Sequence, residues 1–99
     1  MKHNQRLNPS PQTVFQAIGE TSVLLNLATE TYYGLDETGT RFWQLMMEYH
    51  AWGPVFDRMA QEYLVDPDRL DQDLTRLIAE LKDHNLIEVE AGTGGTQPA

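Results

Sequence analysis

Apolar and polar positions along this chain follow a two-residue period first and a helical period afterwards. Val23, Leu25 and Leu27 stand two apart, which puts them on one face of a pleated strand. Thr31–Leu35 has the β-branched and aromatic composition of a partner strand. A short polar turn between the two predicts a hairpin, although residues 28–31 carry no Asn-Gly or Asp-Gly, so the turn type stays open. Upstream, Val14, Phe15 and Ile18 make Thr13–Ile18 a first strand, with Gly19-Glu20 as a two-residue turn. The pattern therefore predicts a three-stranded antiparallel meander in sequential order. Its last strand, Thr31–Leu35, lies at one edge with outer backbone groups unpaired.

At Asp36 the period changes. That carboxylate can accept from the first free N–H groups of a helix over Glu37–Tyr49, in which Phe42, Leu45, Met46 and Tyr49 fall at the i, i+3, i+4, i+7 spacing of a buried stripe. Trp43 and Met47 flank the stripe. Residues 50–54 (HAWGP) break it, and a second helix is expected over 54–63 with Val55, Met59, Ala60 and Tyr63 inward. Asp66-Pro67 is a strong start signal for a third helix, which carries Leu70, Leu74, Leu77, Ile78 and Leu81 and ends near His84. Asn85 suits a left-handed cap, and residues 86–89 can add a short strand. Residues 1–12 hold one isolated leucine among polar residues and read as a flexible tail, as do the glycine-rich residues 91–99. This leaves one domain over 13–90. The fold class is α+β: a three-stranded antiparallel sheet followed by three helices, an order that fits a winged helix-turn-helix.

Composition narrows the partners. The 99 residues include 15 acidic and 7 basic side chains, a formal charge of -8, with no cysteine. Such a surface repels phosphate backbones and anionic lipid and favours a basic peptide. There is neither a disulfide framework nor a thiolate metal site, and no apolar run approaches the roughly 18 residues of a membrane span. The N-terminal residues lack the apolar centre of a secretory signal. A cytoplasmic protein is expected.

Catalytic chemistry finds no constellation in the sequence. His3, His50 and His84 lie in a tail, a joint and a helix end, and no pair is spaced i, i+4. The run Asp66, Asp68, Asp71, Asp73 lacks the glycine and glutamate of a calcium loop and reads as a solvated helix face. Gly92, Gly94 and Gly95 lack the lysine and strand-to-helix context of a phosphate loop. No enzyme, metal or cofactor is expected. A winged-helix DNA binder would present a basic third helix, yet Asp68, Asp71 and Asp73 outweigh Arg69 and Arg76 there. The element order permits that regulator; the charge opposes it. A module dimerising through exposed edges is a further alternative. The pair Tyr32-Tyr33 reads either as ordinary strand packing or as part of a seat for an extended peptide. In the second reading backbone hydrogen bonds hold the peptide and the helix carboxylates attract its lysine or arginine.

The run VLLNLATETYYGLDETGTRFW, followed by VDPDRLDQDLTRLIAELKDHNLI, resembles the PqqD-like family of peptide-recognition proteins. Leu24, Leu25, Tyr33, Leu35, Asp36, Thr38, Gly39 and Trp43, then Val65, Leu81, Leu86 and Ile87, occupy the family's pattern positions over residues 23–89. Asn85 stands where the family tends to have glycine. The resemblance implies a winged helix-turn-helix-like domain that binds the leader segment of a ribosomally made precursor peptide. The leader would add beside the third strand, in a groove against the third helix, and be presented to a leader peptidase or other modifying enzyme. Free-standing members of this length resemble those of lasso-peptide biosynthesis; a related branch acts as a chaperone with a radical enzyme in making a quinone cofactor. By this carry-over the groove involves Thr31, Tyr32, Tyr33, Gly34 and Leu35 with Leu70, Asp73, Leu74 and Leu77. It implies no nucleic acid, no membrane and no cofactor.

Overall fold

A computed structural model of the chain describes residues 5–90. The predicted meander is present. Strands β2 (Thr13–Ile18), β3 (Thr21–Asn26) and β4 (Thr31–Leu35) form an antiparallel sheet in the order β2-β3-β4, with Val14 opposite Leu25 and Leu25 opposite Tyr32. Gly19 turns β2 into β3 at φ +64°, a backbone conformation glycine adopts without a Cβ clash. Val23, Leu25 and Leu27 share a face as expected, but it is the outer one. Ser22, Leu24 and Asn26 point into the core. Two of those three are polar, and each has hydrogen-bond partners. The Ser22 and Thr40 hydroxyls lie 2.7 Å apart, and Asn26 is hydrogen-bonded through both ends of its carboxamide. A satisfied polar group is tolerated inside; an orphan is not.

Helix α1 (Glu37–Tyr49) begins where Asp36 Oδ1 accepts from the Gly39 N–H at 2.8 Å. Phe42, Leu45 and Met46 are buried as the stripe predicts, and so is Trp43, whose indole stacks on Phe15 of β2 with centroids 6.0 Å apart. Helix α2 (Trp52–Glu62) starts two residues before Pro54, within the stretch expected to be a break. Proline is accommodated in this first turn, where its missing N–H has no helical partner to lose, and Trp52 is fully buried. Arg41 of α1 clamps Glu62 of α2 at 2.8 and 2.6 Å. Helix α3 (Pro67–Asp83) is capped by Asp66 and buries Leu70, Leu74 and Leu81. At its far end Asn85 takes φ 57°, while its N–H bonds Lys82 O and the Leu86 N–H bonds Leu81 O. That pair of bonds is the Schellman motif, and it explains asparagine where glycine is usual.

The expectation of a tail over 1–12 is corrected by a strand. Strand β1 (Arg6–Pro9) pairs antiparallel with β5 (Ile87–Glu90), Leu7 opposite Val89. On its other side the Leu7 N–H donates to His50 O at 3.1 Å and the Trp52 N–H to Gln5 O at 2.9 Å. Strand β1 is thus held between β5 and the α1–α2 joint, with Leu7 fully buried. Backbone bonds on both sides and one leucine in the core offset the ordering entropy that composition alone could not. Residues 91–99, expected as the second tail, lie outside the described residues.

One side of the meander remains open to solvent and apolar: Val14, Ile18, Leu27 and Tyr32 are exposed there. Among the described residues no helix is long and apolar enough to cross a membrane.

Candidate functional site

Strand alternation decides what β4 offers to each side. Tyr33 and Leu35 turn toward the helices, whereas Tyr32, one residue away, is 72% exposed on the outer face. Among the described residues β4 has a sheet neighbour, β3, on one side only. An antiparallel edge strand leaves alternate N–H and C=O groups free on its open side. Across from that edge runs α3, and between them lies a groove of about 580 Å³. β4 lines it with Tyr33, Gly34 and Leu35, and the strand-to-helix junction with Asp36, Thr38 and Gly39. Helix α3 contributes Arg69, Asp73, Leu74, Arg76, Leu77 and Glu80.

The end of the groove nearest the α3 C-terminus is braced. The Tyr33 hydroxyl donates to Glu80 Oε1, so one side chain bridges strand and helix. Its ring meets His84 edge-on at 5.2 Å. Partial burial, then the bond to the Glu80 carboxylate, pushes the Tyr33 phenol up to about 12, because both disfavour a phenolate. Beside it Asn26 Nδ2 donates to His84 O at 3.0 Å. At the junction the close packing depends on glycine: a Cβ at Gly39 would stand 3.0 Å from Leu35 Cδ2.

The groove is mixed in charge. Asp36 is engaged by the Gly39 N–H, Asp73 stands 3.7 Å from Arg69, and Glu80 accepts from Tyr33. Among the described residues Arg76 has no ion pair.

Of the residues carried over from the resemblance, Tyr33, Gly34, Leu35, Asp73, Leu74 and Leu77 come together on the groove walls. Leu70 does not; it is buried in the core. Thr31 is exposed at the start of β4, its hydroxyl 2.7 Å from that of Thr29, and Tyr32 faces away. Asp36, Thr38, Gly39, Arg69, Arg76 and Glu80 were missed. The helical period held a signal for three of them, since Arg69, Asp73, Arg76 and Glu80 run at i, i+4, i+7, i+11 along one stripe.

Among the described residues no three His, Cys, Asp or Glu side chains gather as a metal site. An open strand edge set across a groove from an amphipathic helix is an arrangement to which an extended segment can add as a strand, in a small α+β domain. The family described as Coenzyme PQQ synthesis protein D (PqqD) matches residues 21–87. A solved structure of TbiB1 in complex with the TbiA(beta) leader peptide superposes with a TM-score of 0.78 at 34% identity, over 82% of this chain and 94% of that one. No curated protein matches. The chain belongs to the PqqD family.

Proposed function

We propose that this chain is a non-catalytic adaptor that binds the leader segment of a ribosomally synthesised precursor peptide. The leader adds as a strand along the open edge of β4, its alternate side chains entering the groove against α3. The adaptor then presents it, in the cytoplasm, to a leader peptidase or other modifying enzyme, in lasso-peptide maturation. The observation that carries this reading is the β4 edge over the groove, unpaired among the described residues, in a chain 34% identical to TbiB1, whose solved complex contains a leader peptide. Main-chain bonds along the edge supply affinity, and the pockets between Tyr33, Leu35, Leu74 and Leu77 supply selection.

The test is a titration with two synthetic leaders, that of TbiA(beta) and that of any short precursor peptide that sequencing of the neighbouring genes finds. Amide resonances are followed throughout. Saturable binding with shifts concentrated on β4 and α3 is expected for the second leader. Absence of saturation with both, or shifts centred elsewhere, overturns the proposal.

The family description favours a second pathway, in which the same groove serves a radical enzyme that makes a quinone cofactor. Binding of a leader from such a pathway, with none to a lasso leader, would select it.

A further inference from the structure

We propose that the peptide seated in this groove carries an acidic side chain that pairs with Arg76, and that this pair sets the register of the added strand. The inference rests on the leader-binding reading of the same groove. It runs against the bulk charge of -8, which by itself favours a basic ligand. Locally the groove is close to balanced, with Asp36, Asp73 and Glu80 against Arg69 and Arg76, and its carboxylates already have partners. Asp36 caps α1 through the Gly39 N–H at 2.8 Å. Asp73 has Arg69 at 3.7 Å on the same helix. Glu80, one turn beyond Arg76 and its natural i, i+4 partner, is held instead by the Tyr33 hydroxyl. What remains is a guanidinium on the groove wall with no ion pair among the described residues.

Arg76 is exposed while the groove is empty, so its charge is well hydrated. A strand lying over it would displace that water and strengthen any pair it forms. The main-chain bonds of strand addition are nearly blind to sequence, and a peptide can slip by two residues without losing its in-and-out alternation. A charge at one fixed point along the groove makes one register better than its neighbours. The ligand class that follows is an extended peptide with an aspartate or glutamate opposite the middle of α3 and apolar side chains beside it for Leu74 and Leu77.

A display library of random linear peptides panned in parallel on the wild-type protein and on Arg76→Glu tests this. Arg76 is exposed, so the variant should keep its fold, which a thermal melt checks; Arg76→Gln is carried as a milder second variant. The wild type should enrich peptides with one recurrent acid, and Arg76→Glu should enrich lysine or arginine at that position. Synthesised peptides with the acid changed to lysine should bind the wild type on the order of fivefold more weakly and regain affinity for Arg76→Glu. If the enriched peptides keep their affinity with that acid changed to glutamine, the Arg76 assignment fails while peptide binding stands. If neither protein enriches any peptide, and neither saturates with a leader, both readings fail.

Discussion

The carboxamide of Asn26, at the end of β3, reaches across to the carbonyl of His84 at the end of α3, 3.0 Å away. The same side chain holds its own turn, Oδ1 accepting from Ala28 N at 2.9 Å and from Thr29 N at 3.2 Å. One fully buried residue therefore fixes the hairpin that carries β4 and ties it to the helix opposite. The spacing of the groove walls depends on it.

Replacing Asn26 by leucine would strand two turn amides and the His84 carbonyl without partners. We expect a loss of about 2–4 kcal/mol, read as a lower urea midpoint at an unchanged slope. Tighter packing of the new side chain cannot compensate, since the cost lies in the unpaired backbone groups. A change under ~1 kcal/mol would show that water takes over the amide's role.

The two adjacent tyrosines should behave differently. Tyr33→Phe removes the bridge to Glu80, costs about 1 kcal/mol, and releases Glu80 to pair with Arg76, so leader affinity should fall. Tyr32→Ser, on the outer face, should change stability by less than about 0.5 kcal/mol and leave that affinity unchanged. Parallel thermal melts and titrations of the two variants check both statements.

Leu7 is fully buried although its neighbours in sequence are polar. Leu7→Ala should cost about 2–5 kcal/mol through lost transfer energy and a residual cavity. Amide exchange should quicken first along β1 and β5, the two strands paired at that point. Chemical denaturation and hydrogen exchange measure the two effects separately.

Glu62 is a pH reporter for the contact between α1 and α2. The hydrogen bond from Arg41, outweighing some desolvation and assisted by Arg58, lowers its carboxyl from 4.5 to about 2. A depressed carboxyl contributes stability that is complete above 4.5 and disappears as pH falls toward 2, because the unfolded chain takes up the proton first. Both side chains are partly exposed, so solvent screening limits the contribution to about 1 kcal/mol or less. Urea melts of wild type and Glu62→Gln should differ at pH 7 and converge near pH 2.

Much of the architecture was legible along the chain because its causes are local. Strand-forming composition predicts Thr13–Ile18 and Thr31–Leu35, and a two-residue period at Val23, Leu25 and Leu27 predicts the strand between them; Asp36 and Asp66-Pro67 mark helix starts, and Asn85 marks an end. These signals act within one turn of the residue that carries them, so they survive without knowledge of the rest of the molecule. The place of Leu74, Leu77 and Asp73 beside a groove was implied by the family pattern alone.

Tertiary structure alone decided which faces were covered. Nothing near Leu7 announces that β5 and the His50 carbonyl will flank it, since both lie far along the chain. The outward turn of Val23 and Leu25 and the inward turn of Ser22 and Asn26 depend on Thr40 and His84, which supply the missing partners. Tyr33 could be told from Tyr32, and Arg76 from Arg69, only once strand and helix faced one another. Periodicity states that two faces exist; burial is a property of the pair of surfaces that meet, and that pairing is written in no single segment.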